Sequence, residues 1–233
     1  MIQFIKNRIK RIIEYSLEIN KQNKSSIDLY LEEISKECYD YLKAHFRSSN
    51  IFKSKEDIRS FAISKAMESY KNNNLFIEFG VFKGHSINFL AKKLKKKNLS
   101  IFGFDSFTGL EEDWIADDYN PVGTFAIKKK PKVLDNVNLV VGPVQNTLEN
   151  FLKKQSDTKI IFIHFDMDNY KPTKFVLEKV KTKLEKGAII IFDEFHDYPN
   201  WKNHEFKALQ EVFKESEYNY IGFSKRQAVI KLN

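Results

Sequence analysis

From residue 75 onward, short apolar runs alternate with amphipathic helical patterns. The runs are rich in β-branched and aromatic residues, as is typical of buried strands. They read LFIEF, SIFGFD, VNLVVG, KIIFIHFD and AIIIFDEF. Between them, apolar residues recur every three or four positions in INFLAKKLKKK, TLENFLKKQ and TKFVLEKVKTKL, which predicts helices. This alternation predicts an α/β fold in which helices cover both faces of a mostly parallel sheet.

The two ends of the chain depart from this alternation. The C-terminal stretch YNYIGFSKRQAVIKL predicts two strands joined by a tight polar turn, and therefore an antiparallel hairpin. Residues 1–72 show helical patterns throughout. We therefore predict a doubly wound, seven-stranded sheet in a domain at 73–233, preceded by an N-terminal helical cap at 1–72.

The first helical pattern has an apolar stripe opposite a basic face. The stripe consists of Ile2, Ile5, Ile9, Ile12 and Ile13. Such a face predicts packing on the chain's own domain or on a second subunit, and we expect a homodimer, or an assembly of dimers, with residues 1 to about 50 at the interface. A basic amphipathic helix that lies on a membrane surface is the alternative.

Composition narrows the class of protein. The 233 residues favour one domain, and the single cysteine, Cys38, excludes an internal disulfide framework and a multi-cysteine zinc site. The sequence predicts neither a membrane span nor a secretory signal, so we expect a cytoplasmic protein. The net charge of +8 is compatible with nucleic-acid binding. However, the lysines are spread over every predicted helix, which favours solvated faces.

Two glycines follow the first predicted strand, in the stretch LFIEFGVFKGHS. A dinucleotide fingerprint would need glycine where Phe82 stands, and a phosphate-binding P-loop would need lysine where His85 stands. Neither motif is present. What remains is the pattern E-x-G-x-x-x-G, followed by an acidic residue that ends the second predicted strand.

This pattern suits a small zwitterionic nucleoside. Gly80 and Gly84 permit close approach of the backbone, and the helix start near Ser86 offers N–H groups to a carboxylate. Asp105 can accept hydrogen bonds from both ribose hydroxyls, and Glu78 can favour an ammonium group. Carboxylate, ammonium and ribose together describe S-adenosylmethionine. A helix cap with an incidental acidic strand end is the alternative explanation for each residue alone.

A second acidic site follows the fourth and fifth predicted strands. Asp166, Asp193 and Glu194 should face the same crevice as the cofactor, because parallel strands end at one edge of the sheet. Three oxygen ligands that leave positions for water and substrate suit Mg²⁺, although strand-end acids are also common without a metal. The candidate general bases, in order of preference, are Asp166, His196 and Asp168.

The longest segment without clear periodicity lies at residues 106–131. Long loops in compact domains are often functional lids. Trp114, Tyr119 and Phe125 stand among acidic residues there, which suits closure over a polar, ring-shaped acceptor. A variable insertion is the alternative interpretation.

The motifs together resemble a known family. FIEFGVFKGHS, GFDSFTGLEEDW, VGPVQNTLENFL, FIHFDMDNYKPT and GAIIIFDEF are similar to class I S-adenosylmethionine-dependent methyltransferases, and within them to macrocin-type sugar O-methyltransferases. The resemblance spans roughly residues 70–233. It implies methyl transfer to a sugar hydroxyl, with Mg²⁺ held by the acids at Asp166, Asp193 and Glu194. The predicted cofactor-binding set is Glu78, Gly80, Gly84, Ser86, Asp105, Ser106, Gln145 and Asp166.

The chain departs from the family pattern at two places. Glu194 stands where the family usually has a second aspartate, which lengthens one ligand arm, and the residue pair before TL in the third motif differs.

Two other functions compete with the small-molecule O-methyltransferase. One is methylation of RNA or DNA, but DMDNY is not the N-P-P-Y-like tetrad of amino-methylating enzymes. The other is a non-catalytic, cofactor-binding partner subunit, against which the intact acidic clusters argue.

Overall fold

The computed structural model describes residues 5–14, which are helical, and residues 24–233. The further helices are α1 (Ser26–Ser48), α2 (Lys55–Glu68), α3 (His85–Lys95), α4 (Val144–Lys154), α5 (Tyr170–Val180) and α6 (Glu205–Val212). The strands are β1 (Asn50–Ile51), β2 (Leu75–Phe79), β3 (Ile101–Asp105), β4 (Trp114–Ile115), β5 (Tyr119–Asn120), β6 (Val137–Val141), β7 (Ile160–Phe165), β8 (Leu184–Phe192), β9 (Tyr218–Phe223) and β10 (Ala228–Leu232).

One large sheet has the strand order β1-β9-β10-β8-β7-β2-β3-β6. The five apolar runs form its parallel strands, and β10 runs antiparallel to both β8 and β9. The α/β fold and the terminal hairpin are therefore confirmed. The sheet has eight strands rather than seven, because β1 pairs in parallel with β9 at the edge and so interrupts the stretch predicted to be entirely helical.

A row of four phenylalanines crosses the sheet at the carboxyl ends of its central strands. Phe79 lies 4.9 Å from Phe104 and 5.5 Å from Phe165, measured between ring centroids, and Phe165 lies 5.3 Å from Phe192. All four are buried. Each is the last residue, or the last but one, of its strand, so the row fixes the level at which the four strands end.

Two N-terminal helices pack on the sheet. Ser25 caps α1, and this helix buries Ile34, Cys38 and Leu42. Ser54 caps α2 by accepting a hydrogen bond from the backbone N–H of Asp57. Helix α2 lies against β8 and buries Ile58, Ala62, Ile63 and Ala66. Its first turn therefore reaches the carboxyl end of the sheet.

The segment at 106–131 contains its own small structure. Strands β4 and β5 form a two-stranded antiparallel pair in which Trp114 is buried and Tyr119 is exposed. We call residues 106–131 the lid segment. Within the described part of the chain, no helix has the length and apolar character needed to cross a membrane.

Candidate active site

A cavity of about 320 Å³ opens at the carboxyl ends of β2, β3, β7 and β8. Strand order reverses there, since β3 and β6 lie on one side of β2 while β7 and β8 lie on the other. Ligands of open α/β sheets bind at such a switch point. The residue that follows each phenylalanine of the central row lines the cavity; these are Gly80, Asp105, Asp166 and Asp193.

Gly80 is required by the protein's own backbone. Its φ is +88°, and a Cβ atom at this position would lie 1.8 Å from the carbonyl oxygen of Asp166. A side chain here would therefore collide with the loop after β7 before it met any ligand. The backbone of Asp166 therefore gives a second reason for the glycine, beside the close approach of a cofactor that the sequence predicts.

Asp105 organises the glycine loop. One carboxylate oxygen accepts hydrogen bonds from the backbone N–H groups of Val81 and Phe82, at 2.8 and 2.7 Å. The other accepts from the N–H of Phe107 at 2.6 Å. A carboxylate has about four acceptor positions, so one remains for a ligand hydroxyl.

The predicted cofactor residues divide into two groups. Four of them line the cavity, namely Gly80, Asp105, Ser106 and Asp166, whereas Glu78, Gly84, Ser86 and Gln145 do not. Glu78 is fully buried, and its carboxylate is held by the Ser86 hydroxyl at 2.9 Å and by His164 Nδ1 at 2.9 Å. It is therefore not placed to meet an ammonium group. Gln145 donates to Glu111 at 2.6 Å.

The rest of the cavity wall is largely apolar, with a few polar groups. The apolar members include Phe82, Phe104, Leu110, Trp114, Phe125, Pro143, Val144, Met167 and Pro172. Asn169 Nδ2 and Trp114 Nε1 are buried and have no hydrogen-bond partner in the described chain. Buried donors are normally paired, so these two are available to a bound molecule. The volume, the apolar wall and the free donors fit a nucleoside-sized ligand.

The acidic cluster differs from the predicted metal-ligand set. Candidate ligand atoms of His164, Asp166 and Asp193 lie within 4.8 Å of one another, and Glu194 is not a member of this group. A candidate metal site of three residues therefore exists at the predicted place. His164, a buried residue of β7, supplies the third ligand-type atom.

Asp193 is already surrounded by donors. Lys55 Nζ lies 2.6 Å from one carboxylate oxygen, and Arg59 Nη2 lies 2.7 Å from the other, which also accepts from Gln227. His164 Nε2 lies 3.4 Å away. Burial would raise the pKa of Asp193, but the hydrogen bond and charge of His164, with Arg59 and Lys55, hold that pKa well below its usual range. This donor set does not fit a divalent cation unless Lys55 leaves.

The histidine in this cluster lies between two carboxylates. Burial opposes its charge, yet the hydrogen bonds to Asp193 and Glu78 raise the pKa of His164 to about 9. The imidazole is therefore positioned by Glu78 on one side and Asp193 on the other.

Two further carboxylates line the cavity without such partners. Burial, followed by the charge of Asp193, raises the pKa of Asp166 well above its ordinary value. Burial and the charges of Glu194 and Asp193 raise the pKa of Asp168 to about 7. Asp168 has a φ of +60°, an unusual backbone conformation for a non-glycine residue and one often found at functional sites.

His196, the second-choice base, is not at the cavity. Its ring packs against Phe46 and Phe223, with centroids 5.9 and 5.7 Å apart. Burial lowers the pKa of His196 to about 4. The sequence places it on a loop after the fifth strand, but that loop turns inward beneath the terminal hairpin, where His196 N–H bonds to the carbonyl of Arg226.

Reasoning from the sequence missed Lys55 and Arg59. Both lie on α2, one turn apart, and the only sequence signal was a helix start with basic residues on one face. Arg226 was also missed. It joins Glu194, at 3.4 Å, to Asp117 of the lid segment.

Comparison with known proteins agrees with this geometry. The profile of a family described as "Methyltransferase domain" matches residues 77–195, just over half of the chain. A search of curated protein sequences finds no significant match. Among solved structures, the calicheamicin methyltransferase CalS11 superposes with a TM-score of 0.64 at 22% identity, over 90% of this chain and 94% of that one.

A second solved structure, the O-methyltransferase NovP, superposes with a TM-score of 0.60 at 15% identity, over 76% of this chain and 79% of that one. At these identities the likeness concerns the fold. The family match rests on the sequence itself and covers β2, β3, β6, β7 and β8, whose ends form the cavity and its surroundings. The chain belongs to the methyltransferase-domain family, whose cofactor is S-adenosylmethionine.

Proposed function

We propose that this protein transfers a methyl group from S-adenosylmethionine to a hydroxyl of a sugar or of a sugar-bearing small molecule. One observation carries the proposal. A single cavity joins a glycine loop organised by Asp105 on one side to Asp166 and Asp168 on the other. The two halves of a transfer reaction, donor binding and acceptor activation, thus share one space.

The donor half lies at the ends of β2 and β3. Asp105 keeps one acceptor position for a ribose hydroxyl, and Ser106 lies beside it at the cavity wall. Phe104, Leu110 and Val144 provide apolar surface for a base ring. When bound, the cofactor supplies an electrophilic methyl group on a sulfonium, which bears a positive charge suited to the acidic cavity.

The acceptor half lies at the ends of β7 and β8. We assign Asp168 as the general base, because its buried carboxylate faces the cavity and has no side-chain partner in the described chain. In the reaction an O–C bond forms to the methyl carbon, the S–C bond breaks, and the hydroxyl proton passes to Asp168. A neutral thioether leaves. No step is assigned to Mg²⁺, since Asp193 is already paired with Lys55 and Arg59.

The acceptor class rests on the lid segment and on structural likeness. Trp114 and Phe125 bring aromatic faces and a free indole N–H to the cavity, a combination that suits a polar ring. A further structure of CalS11, described as a TDP-rhamnose 3'-O-methyltransferase, has a TM-score of 0.57 at 20% identity, over 90% of this chain and 96% of that one. A nucleotide-linked deoxysugar is therefore the first acceptor to try.

The test combines binding and turnover. Calorimetry with S-adenosylmethionine should give one site per chain. Asp105→Ala should weaken that affinity by about 1.5–3 kcal/mol, the usual range for a hydrogen bond to a charged group. Incubation with a panel of nucleotide sugars should yield a product heavier by one methylene, and Asp168→Asn should abolish it while retaining cofactor binding. A wild-type protein that does not bind S-adenosylmethionine contradicts the proposal.

A further inference from the structure

Lys55 contacts two of the three carboxylates that the sequence predicts as metal ligands. Its ammonium nitrogen lies 2.6 Å from Asp193 Oδ2 and 3.4 Å from Glu194 Oε1. These are the two neighbouring carboxylates at the end of β8 that the sequence assigns to Mg²⁺. Lys55 also lines the cavity, and its side chain is 46% exposed. The Ser54 cap holds it on the first turn of α2.

The other carboxylate oxygen of Asp193 is occupied as well. Arg59, one turn further along α2, lies 2.7 Å from the other carboxylate oxygen. Gln227, from the terminal hairpin, donates to that same oxygen. The carboxylate thus binds one cation through each oxygen. A divalent cation at this position would sit against an ammonium and a guanidinium, which repel it.

We propose that the ammonium group of Lys55 replaces the divalent cation of this site, so that methyl transfer by this protein is independent of metal. The proposal rests on the methyltransferase function proposed above and deepens it. An ammonium has three N–H donors. Asp193 and Glu194 take two of them, and the third donates to the acceptor oxygen and orients it toward the donor methyl.

Glu194 fits this arrangement better than it fits Mg²⁺. Magnesium demands a near-ideal octahedron with ligand distances of about 2.0–2.1 Å. An ammonium accepts longer and less regular contacts, such as the 3.4 Å to Glu194. Glu194 is also held by Arg226 at 3.4 Å, so both of its oxygens face cations that the chain itself supplies.

Metal binding can be tested without turnover. Mn²⁺ is added to the wild-type protein, to Lys55→Met and to Lys53→Met, and free Mn²⁺ is measured by electron paramagnetic resonance. Lys53 is an exposed lysine two residues away and serves as the matched control. We expect the wild type and Lys53→Met to bind no Mn²⁺, and Lys55→Met to bind it. Stoichiometric Mn²⁺ binding by the wild type overturns the proposal.

Turnover gives the second readout. After exhaustive chelation the wild type should keep its rate, whereas Lys55→Met should lose about tenfold or more in kcat with unchanged calorimetric affinity for S-adenosylmethionine. Added Mg²⁺ should restore part of that loss in Lys55→Met alone. Lys55→Arg, which keeps the charge, should remain insensitive to chelation. A wild-type rate lost on chelation and restored by Mg²⁺ contradicts the proposal, as does full activity of chelated Lys55→Met.

These outcomes separate the two proposals. Failure of the wild type to bind S-adenosylmethionine contradicts the proposed function. The Mn²⁺ measurement still shows in that case whether Lys55 excludes a divalent cation. Conversely, a metal-dependent wild-type enzyme ends the lysine proposal and leaves the methyltransferase intact. Thermal unfolding of each variant shows whether a lost rate comes from lost structure.

Discussion

Gly80 shows how one residue couples the two halves of the cavity. The missing side chain lets the glycine loop after β2 touch the backbone of Asp166 after β7. The sequence identifies the glycine correctly but not its neighbour, because that neighbour lies 86 residues away. Local sequence reveals a need for glycine, whereas only the folded sheet reveals which atom imposes it.

A pair of glycine variants tests this coupling. Gly80→Ala should destabilise the fold more than Gly123→Ala. Both residues have positive φ, +88° and +83°, but a Cβ at Gly123 would meet nothing within 4 Å. The difference should reach about 1–3 kcal/mol, the usual cost of forcing atoms into packed space. Urea unfolding of both variants measures it; equal losses of stability would mean that the loop relaxes freely.

Protonation of His196 should make the free energy of unfolding depend on pH. Its pKa is lowered from 6.5 to about 4 by burial, so the folded protein keeps the ring neutral while the unfolded chain protonates it. The unfolded state therefore binds more protons between these values, and stability falls as the pH drops below about 6.5. Between pH 7 and pH 5 this residue should account for about 2 kcal/mol of that fall.

The His196→Phe variant isolates the effect. Phenylalanine suits the surroundings of Phe46 and Phe223 and cannot titrate. Its free energy of unfolding should vary less between pH 7 and pH 5 than that of the wild type by about 2 kcal/mol. Denaturant titrations at both pH values measure this difference. An unchanged pH dependence would show that the buried imidazole is not the titrating group.

At the scale of elements, the strands could be predicted and the docking of α2 could not. Buried parallel strands read as continuous apolar runs, so β2, β3, β6, β7 and β8 stand out in the sequence. Asp105, Asp166 and Asp193 follow the phenylalanines at the ends of these strands, so the phenylalanine row sets the level at which the acids lie. The contact of Lys55 with Asp193 joins residues 138 positions apart. It depends on how a helix lies on a sheet, which hydrophobic periodicity does not specify.

The lid segment is tied to the sheet by an arginine of the terminal hairpin. Arg226 links Asp117 of the lid segment to Glu194, and its guanidinium lies 5.6 Å above the ring of Tyr198. Arg226→Gln should release the lid segment and speed chymotrypsin cleavage within residues 106–131 by about two- to fivefold, since partly exposed ion pairs contribute up to about 1 kcal/mol.

Lys225→Gln is the control for this experiment. Lys225 is the exposed neighbour of Arg226 on the same turn. Its variant should be cleaved at the wild-type rate. Equal acceleration in both variants would point to general loosening of the hairpin, and no acceleration in either would mean that Arg226 does not restrain the lid segment.

At the scale of the whole molecule, the N-terminal helix at 5–14 bears on assembly. Ile5, Ile9, Ile12 and Ile13 of its apolar stripe are 50–61% exposed, while Ile2 lies outside the described residues. The stripe therefore does not pack on the chain's own domain at these four positions. We still propose that a second subunit covers this stripe, because burying apolar surface stabilises an interface by about 25 cal/mol per Å².

Light scattering of the full chain tests this proposal. The wild type should be a dimer or an assembly of dimers, and the double variant Ile9→Glu, Ile12→Glu should be monomeric with unchanged circular dichroism. Point variants are preferable to deletion, because α1 buries part of the core. A monomeric wild type that sediments with anionic vesicles, less so at high salt, would favour the membrane alternative instead.

The strand order also governs when this molecule can fold during synthesis. The register pairs Leu75 of β2 with Ile160 of β7, and Phe165 of β7 with Phe192 of β8. One edge of the central strand β2 therefore stays unpaired until β7 is synthesised, and β7 in turn needs β8. Contacts so distant along the chain slow folding. A nascent chain that ends before residue 192 exposes unpaired apolar strand edges and has no complete cavity. Cofactor binding therefore cannot rescue a stalled or truncated chain, and such chains become substrates for chaperones or aggregate.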